Sequence, residues 1–160
     1  MLFFLKPLYD GTMSTTWDRV IRENRNEILR RWQEGVLDLF SEKIAPGSPI
    51  GAALADGMGM ILDGFALGSE RCSDGLERVA RILAVHPIRP SRSMSMFMHL
   101  KTILLSVAPD GADSEACSSR IETLTLEAFD SFMAHREKIY QLKVEEALGR
   151  MHMLQRSVQS

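Results

Sequence analysis

The last third of the sequence constrains the fold most, because from Asp113 to the C-terminus its pattern is that of one uninterrupted helix. This stretch contains no proline and a single glycine, Gly149, and its apolar residues recur every three or four positions. A helix from Ser114 to about Arg156 would be roughly 60 Å long, which is more than the width of a domain of this size. Part of the helix is therefore predicted to project from the domain or to pair with another helix.

The second half of this helix carries a heptad pattern of apolar residues. Its members are Met133, Tyr140, Val144, Ala147, Met151, Leu154 and Val158. Glu137 interrupts the pattern, and charged residues, Lys143, Glu145, Glu146 and Arg150, flank it. The pattern predicts a parallel two-stranded coiled coil that joins two copies of the chain. The alternative is a helix that covers the core of its own domain.

Four shorter helices are predicted before the long one, and no strand or hairpin signal accompanies them. Their expected extents are 16–40, 50–67, 73–85 and 90–107, with Thr16 as the first N-cap. The second helix contains four glycines, which favours close packing against a neighbour. The fold class is all-α with a single domain. Residues 1–13 are interpreted as an arm or an over-long start, 14–140 as the helical domain, and 141–160 as the extension.

Charge, hydropathy and cysteine usage exclude several classes of protein. The chain has 19 Lys and Arg residues against 21 Asp and Glu residues, so a nucleic acid is not expected as its partner. It has no apolar run near the roughly 20 residues that cross a bilayer, so no membrane insertion is expected. Cys72 and Cys117 are isolated, and no export signal precedes them, which indicates reduced thiols and a cytoplasmic location.

The sequence offers little for catalysis or for metal binding. It has no Gly-x-Ser-x-Gly motif and no glycine-rich phosphate loop, so we do not expect an enzyme. His86, His99, His135 and His152 lack the spacing of metal ligands, and no metal or other cofactor is predicted. Because one axial histidine suffices for haem, His86 and His99 are the candidates should haem bind.

A small-molecule binding module is the alternative function. Ten methionines, several of them in the fourth predicted helix, suit an adaptable apolar pocket as well as an ordinary core. The proposed lining residues are Phe65, Met94, Phe97, Met98 and Phe132. A lipid-like ligand or haem would fit such a lining.

Several short segments share their order and spacing with one known family. They are residues 27–32, 76–85, 90–91 with Phe97 and 100–101, 128–130, 136–140 and 144–146. On these segments, the chain from about Asn24 to Gln155 resembles the amino-terminal domain of the RsbT co-antagonist proteins of the RsbR-D type. Those proteins regulate bacterial general-stress signalling within a large assembly.

The resemblance implies a helical sensory domain related to a globin-like fold, which lacks haem in the better-known members and dimerises partly through its last helix. In multidomain relatives that helix leads into a STAS domain, whereas this sequence ends at Ser160, so a free-standing sensor or a partner subunit is expected. The implied function is regulatory, acting through a homodimer and an unidentified protein partner. The dimer and output positions are Tyr140, Val144, Ala147, Met151 and Leu154. Arg136 and Glu137 are candidate signalling positions, with an exposed ion pair as the alternative.

Overall fold

Five α-helices dominate the computed structural model, which describes the backbone of residues 6–159 and the side chains of residues 16–159. They are α1 (Lys6–Leu37), α2 (Pro49–Phe65), α3 (Ser73–Ala84), α4 (Pro90–Val107) and α5 (Ser114–Gln159), with a 3-10 turn over Ser69–Cys72. No strand occurs within residues 6–159. The prediction of a single all-α domain with a long C-terminal helix is therefore confirmed.

Local signals fix most of the helix ends. The Ser48 hydroxyl accepts a hydrogen bond from the Gly51 amide at 3.1 Å, and Pro49 occupies the first turn of α2. The Asp113 carboxylate accepts one from the Ala116 amide at 3.0 Å and so caps α5. Pro90 opens α4 in the same way as Pro49 opens α2. The predicted extents of α2 to α5 agree with the structure to within a few residues.

The predicted start of α1 at Thr16 is wrong. The helix already includes Lys6, and it ends at Leu37 rather than Phe40. Pro7 lies in the first turn, where its missing N–H is not needed, and Gly11 costs a helix only about 1 kcal/mol. A favourable cap at Thr16 therefore does not force the helix to begin there. Residues 1–5 of the interpreted arm lie outside the described residues.

The helices pack in a closed ring around one core. In spatial order the ring is α1, α2, α3, α5 and α4, with α4 returning to α1. Two buried tryptophans of α1 connect it to α4 and to the start of α5. Trp17 donates from Nε1 to the Asp113 carbonyl at 3.0 Å, and Trp32 donates to the Met96 carbonyl at 2.9 Å. The start of α5 and the middle of α4 are thereby tied to the same helix.

Glycines bring α2 and α3 into close contact, as the sequence predicts. A Cβ atom on Gly75 would lie 2.6 Å from the carbonyl oxygen of Gly57, and one on Gly57 would lie 2.8 Å from Val79 Cγ2. Real side chains do not tolerate such distances, so the crossing requires glycine on both helices. This close crossing compensates for the low helix propensity of Gly57 and Gly75.

Candidate functional site

The long helix α5 changes character along its length. Its first five turns face the core through a buried stripe that ends at Phe132, and Ile139 is the last residue packed against the core. From Tyr140 to Gln159 every residue is exposed. At 1.5 Å per residue, this part extends about 30 Å from the domain. The helix therefore projects, as its predicted length requires.

The residues predicted from the heptad pattern lie along one side of this projecting part. Tyr140, Val144, Met151 and Leu154 have exposed fractions of 55%, 58%, 56% and 67%. Ala147 is also exposed and lies between them. We call these five residues the seam. Within a single chain, the seam presents apolar side chains to solvent along several helical turns. Exposed apolar side chains arranged in a continuous stripe are typical of an interaction surface.

The seam begins earlier than the sequence interpretation placed it. Leu126 lies seven residues before Met133 and is 68% exposed, and Phe129 is 41% exposed beside it. One heptad position is consequently apolar over five successive repeats, which comprise Leu126, Met133, Tyr140, Ala147 and Leu154. Met133 is half-buried and packs against the core of its own domain, so the exposed part of the seam is interrupted there. The sequence carried this signal, but a leucine within the domain is usually a core residue. Only the burial pattern shows that Leu126 faces outward.

The polar residues beside the seam distinguish two directions of pairing. Lys143 and Arg150 flank it on one side, at the heptad position g, and Gln141, Leu148 and Gln155 flank it on the other, at position e. In an antiparallel pair the two g flanks face each other, so these cations would be juxtaposed. In a parallel pair each g residue faces the partner's e residue five positions later. Lys143 then faces Leu148 and Arg150 faces Gln155, which can accept a hydrogen bond, so the cations do not meet. The charge pattern therefore favours parallel pairing.

At the base of the projecting part, Arg136 fastens α5 to the end of α3. Its guanidinium donates to three backbone carbonyls, those of Ala84 at 2.8 Å, His86 at 2.9 Å and Ile88 at 3.0 Å. The same group lies 4.5 Å from the centre of the Phe132 ring, which is a cation–π contact. Arg136 is half-buried, so these bonds are partly shielded from water.

The predicted alternative role of Arg136 in an ion pair is not what the described side chains show. Within residues 16–159 Arg136 makes backbone contacts, whereas Glu137 lies exposed on the seam. Arg136 thus acts as a clasp between two helices. Sequence alone gives no sign of this role, because its acceptors lie about 50 residues away along the chain.

The residues proposed for an apolar pocket occupy different environments. Phe65, Phe97 and Phe132 are fully buried core residues, and Met94 lies at the edge of the same core. Met98 points outward and is 47% exposed. A separate cavity of about 140 Å³ lies between the loops that follow α1 and α3, with Phe40, His86 and Ile88 among its walls.

Two of the four histidines make polar contacts within the domain. His86 donates from Nδ1 to the Ile82 carbonyl at 2.7 Å, and His135 lies 3.0 Å from a carboxylate oxygen of Glu77. His99 and His152 are exposed. Among the described residues, His, Cys, Asp and Glu form no group of three that a metal ion could join.

Both thiols are buried inside the ring. Burial raises the pKa of Cys72 to about 12 and that of Cys117 to about 11. Since the thiolate is the reactive form, neither side chain is prepared to act as a nucleophile near neutral pH. Both serve as small apolar residues of the core.

Comparison of the chain with known proteins found no match. No family model, curated protein or solved structure matches it. The helices of residues 6–159 lack the combination of length and apolar character that crossing a bilayer requires. The candidate site is therefore defined by its own geometry, as an apolar seam on a projecting helix with a clasp at its base.

Proposed function

We propose that this chain is a non-catalytic regulatory domain that forms a parallel homodimer through α5 and passes a signal along that helix to a protein partner. The observation that carries the proposal is the exposed seam of α5, which continues well beyond the core. The resemblance to the sensor domains of RsbT co-antagonist proteins supplies the regulatory part. A cytoplasmic setting suits such a role.

The energetics of the projecting helix support pairing. A segment of about 20 residues without tertiary contacts is only marginally helical in water. Pairing would bury Val144, Met151 and Leu154, and each such side chain contributes about 1.5–3 kcal/mol when it leaves water. Ala147 contributes less, so the expected dimer dissociates at low concentration. A moderate affinity suits a regulatory element whose pairing has to change.

The clasp supports transmission between the domain and the seam. Arg136 holds α5 against the end of α3 one turn before Tyr140, where the exposed part begins. A displacement of the loop that follows Ala84 would therefore act directly on the base of the projecting helix. Pairing would hold the projecting segment helical, and a helix is stiff over this length, so in the dimer such a displacement would reach the seam as a rotation or tilt.

The solution mass of the full chain beside a chain ending at Gln141 tests this proposal. We expect a concentration-dependent dimer for the full chain and a monomer for the shortened one, with the same thermal unfolding midpoint at monomeric concentrations. Residues 142–159 are exposed, so their removal leaves the core intact. Equal masses for the two chains would refute pairing through the projecting helix.

A matched pair of substitutions separates the seam from the rest of the helix surface. Val144 lies on the seam, and Leu142 lies on the opposite side with a similar exposed fraction of 51%. Val144→Glu should weaken the dimer at least about tenfold, since it places two carboxylates at one layer of the seam. Leu142→Glu should leave the dissociation constant within about twofold of the original value.

A further inference from the structure

A cavity between two loops of the domain is bounded by residues that also hold the base of α5. It measures about 140 Å³ and lies between the segment that follows α1 and the segment that joins α3 to α4. Its walls are mainly apolar and include Phe40, Ile44, Ile50 and Ile88. An apolar protein cavity of about 150 Å³ accommodates benzene, so this one has room for a molecule with a single ring.

His86 lines the cavity and carries one ring nitrogen that can accept a hydrogen bond. A carbonyl oxygen can only accept, so the 2.7 Å contact between His86 Nδ1 and the Ile82 carbonyl places a proton on Nδ1. In the neutral imidazole the other nitrogen, Nε2, then carries a lone pair, and it has no partner among the described residues. The Phe40 ring meets the imidazole edge to face, with centroids 4.8 Å apart, and holds its plane.

The remaining polar lining narrows the class of ligand. Ser41 and Glu42 lie at the edge of the cavity, and the Glu42 carboxylate disfavours a carboxylate or phosphate ligand. An acceptor nitrogen and a nearby carboxylate both select a molecule that donates hydrogen bonds. The apolar walls and the volume of about 140 Å³ favour a ligand with a single aromatic ring. The combination describes a phenol or an aromatic amine.

The cavity and the clasp share two residues. The backbone carbonyls of His86 and Ile88 accept hydrogen bonds from Arg136 at 2.9 and 3.0 Å, while the same two residues line the cavity. A molecule that contacts His86 and Ile88 therefore touches the same residues whose carbonyls bind the Arg136 guanidinium. Occupancy can shift the position of these carbonyls and with them the orientation of the seam.

We propose that this cavity binds a single-ring aromatic alcohol or amine, and that its occupancy alters pairing of α5 through Arg136. The binding half depends on the cavity alone. The coupling half rests on the proposed function, since it requires that α5 forms a dimer.

Titration of the full chain with phenol, followed by amide resonances in ¹H–¹⁵N spectra, tests the binding half. We expect saturable shifts at residues 40–44 and 86–88, and weaker binding of toluene, which has the same shape without a donor. His86→Phe keeps a ring beside Phe40 but removes Nε2, and it should abolish the preference for phenol over toluene. Absence of saturable shifts at these residues overturns the proposal.

A variant that fills the cavity provides a second check on its location. Ile50 lies at the rim and is partly exposed, so Ile50→Phe adds volume with little effect on the core. It should weaken phenol binding at least about tenfold. Leu67→Phe, at another exposed apolar position outside the lining, should leave binding unchanged. Equal phenol affinity in the two variants places binding elsewhere and overturns the site.

Dimer dissociation constants measured with and without saturating phenol test the coupling half. Allosteric coupling commonly changes an affinity by about fivefold or more, and we expect a change of that size in the full chain. Arg136→Gln should still bind phenol, but phenol should no longer change its dimer dissociation constant. Binding without any change in dimerisation overturns the coupling. A chain that stays monomeric but binds phenol refutes the proposed function and leaves the site standing.

Discussion

Gly75 and Gly149 show how the same residue type meets opposite constraints at two places in this molecule. A Cβ atom on Gly75 would lie 2.6 Å from the Gly57 carbonyl, whereas one on Gly149 would meet nothing within 4 Å. Gly75→Ala should lower the free energy of unfolding by about 1–3 kcal/mol, because α2 and α3 must move apart. Gly149→Ala should raise it by up to about 1 kcal/mol through helix propensity.

Urea unfolding at one fixed protein concentration measures both effects, since the proposed pairing would make stability concentration-dependent. Gly149 lies away from the seam, so its variant should retain the solution mass of the original chain. A stabilising effect of Gly75→Ala would contradict the close crossing of α2 and α3.

The two buried thiols predict a loss of stability at alkaline pH. In the folded chain the pKa of Cys72 is about 12 and that of Cys117 about 11, against an ordinary thiol pKa near 9.0. Above pH 9 the unfolded chain releases these protons and the folded chain keeps them, so the free energy of unfolding falls as pH rises. At pH 10 the expected loss is about 1 kcal/mol per thiol.

Comparison with a Cys72→Ala, Cys117→Ala double variant isolates this effect from the titration of lysines and tyrosines. The original chain should lose more stability than the variant between pH 8 and pH 10, as measured by urea unfolding at each pH. Parallel pH profiles for the two proteins would show that the thiols ionise as readily in the fold as outside it.

At the scale of whole helices, local signals predicted most boundaries and failed at the start of α1, where a capping residue lies inside the helix. Ser48, Pro49, Pro90 and Asp113 set helix starts through their own caps or fixed φ angles, which sequence shows directly. Thr16 carried a similar signal, yet α1 runs through it from Lys6. A capping residue makes it favourable for a helix to begin there, but it does not prevent the helix from beginning earlier.

The parallel pairing proposed for α5 predicts which single introduced cysteine will form an intermolecular disulfide. In a parallel pair the two copies of residue 154 face each other across the seam. In an antiparallel pair aligned over the projecting segment, position 154 faces position 144, about 15 Å from its symmetry mate. Oxidised Leu154→Cys should therefore form a covalent dimer, visible on a non-reducing gel.

Glu145→Cys is the matched control, because position 145 is equally solvent-exposed but lies off the seam. It should form the crosslink much more slowly. The native thiols, Cys72 and Cys117, are buried and should not contribute. Equal rates for the two variants would mean that the crosslink reports random collision, and so would contradict parallel pairing.

At the scale of the whole molecule, the site depends on contacts that sequence does not reveal. The projecting helix was predicted, because its length and seam are properties of one continuous segment. The clasp was not, since Arg136 reaches carbonyls of α3 and its following loop only after these elements pack together. Likewise, the aromatic residues assigned to a pocket fill the core completely, because side-chain packing decides where space remains.

The outward position of Leu126 predicts that the two domains of a dimer lie side by side and contact each other near the base of α5. Leu126 belongs to the seam but precedes the projecting part by two heptads. Leu126→Lys should weaken the dimer about tenfold, since it introduces two facing cations into an apolar layer, while leaving the folded domain intact. Leu67→Lys, at an exposed leucine outside α5, should leave the dissociation constant unchanged. Sedimentation velocity over a concentration series distinguishes the two. If both variants dimerise as the original chain does, pairing is confined to the projecting helix and the domains are held apart.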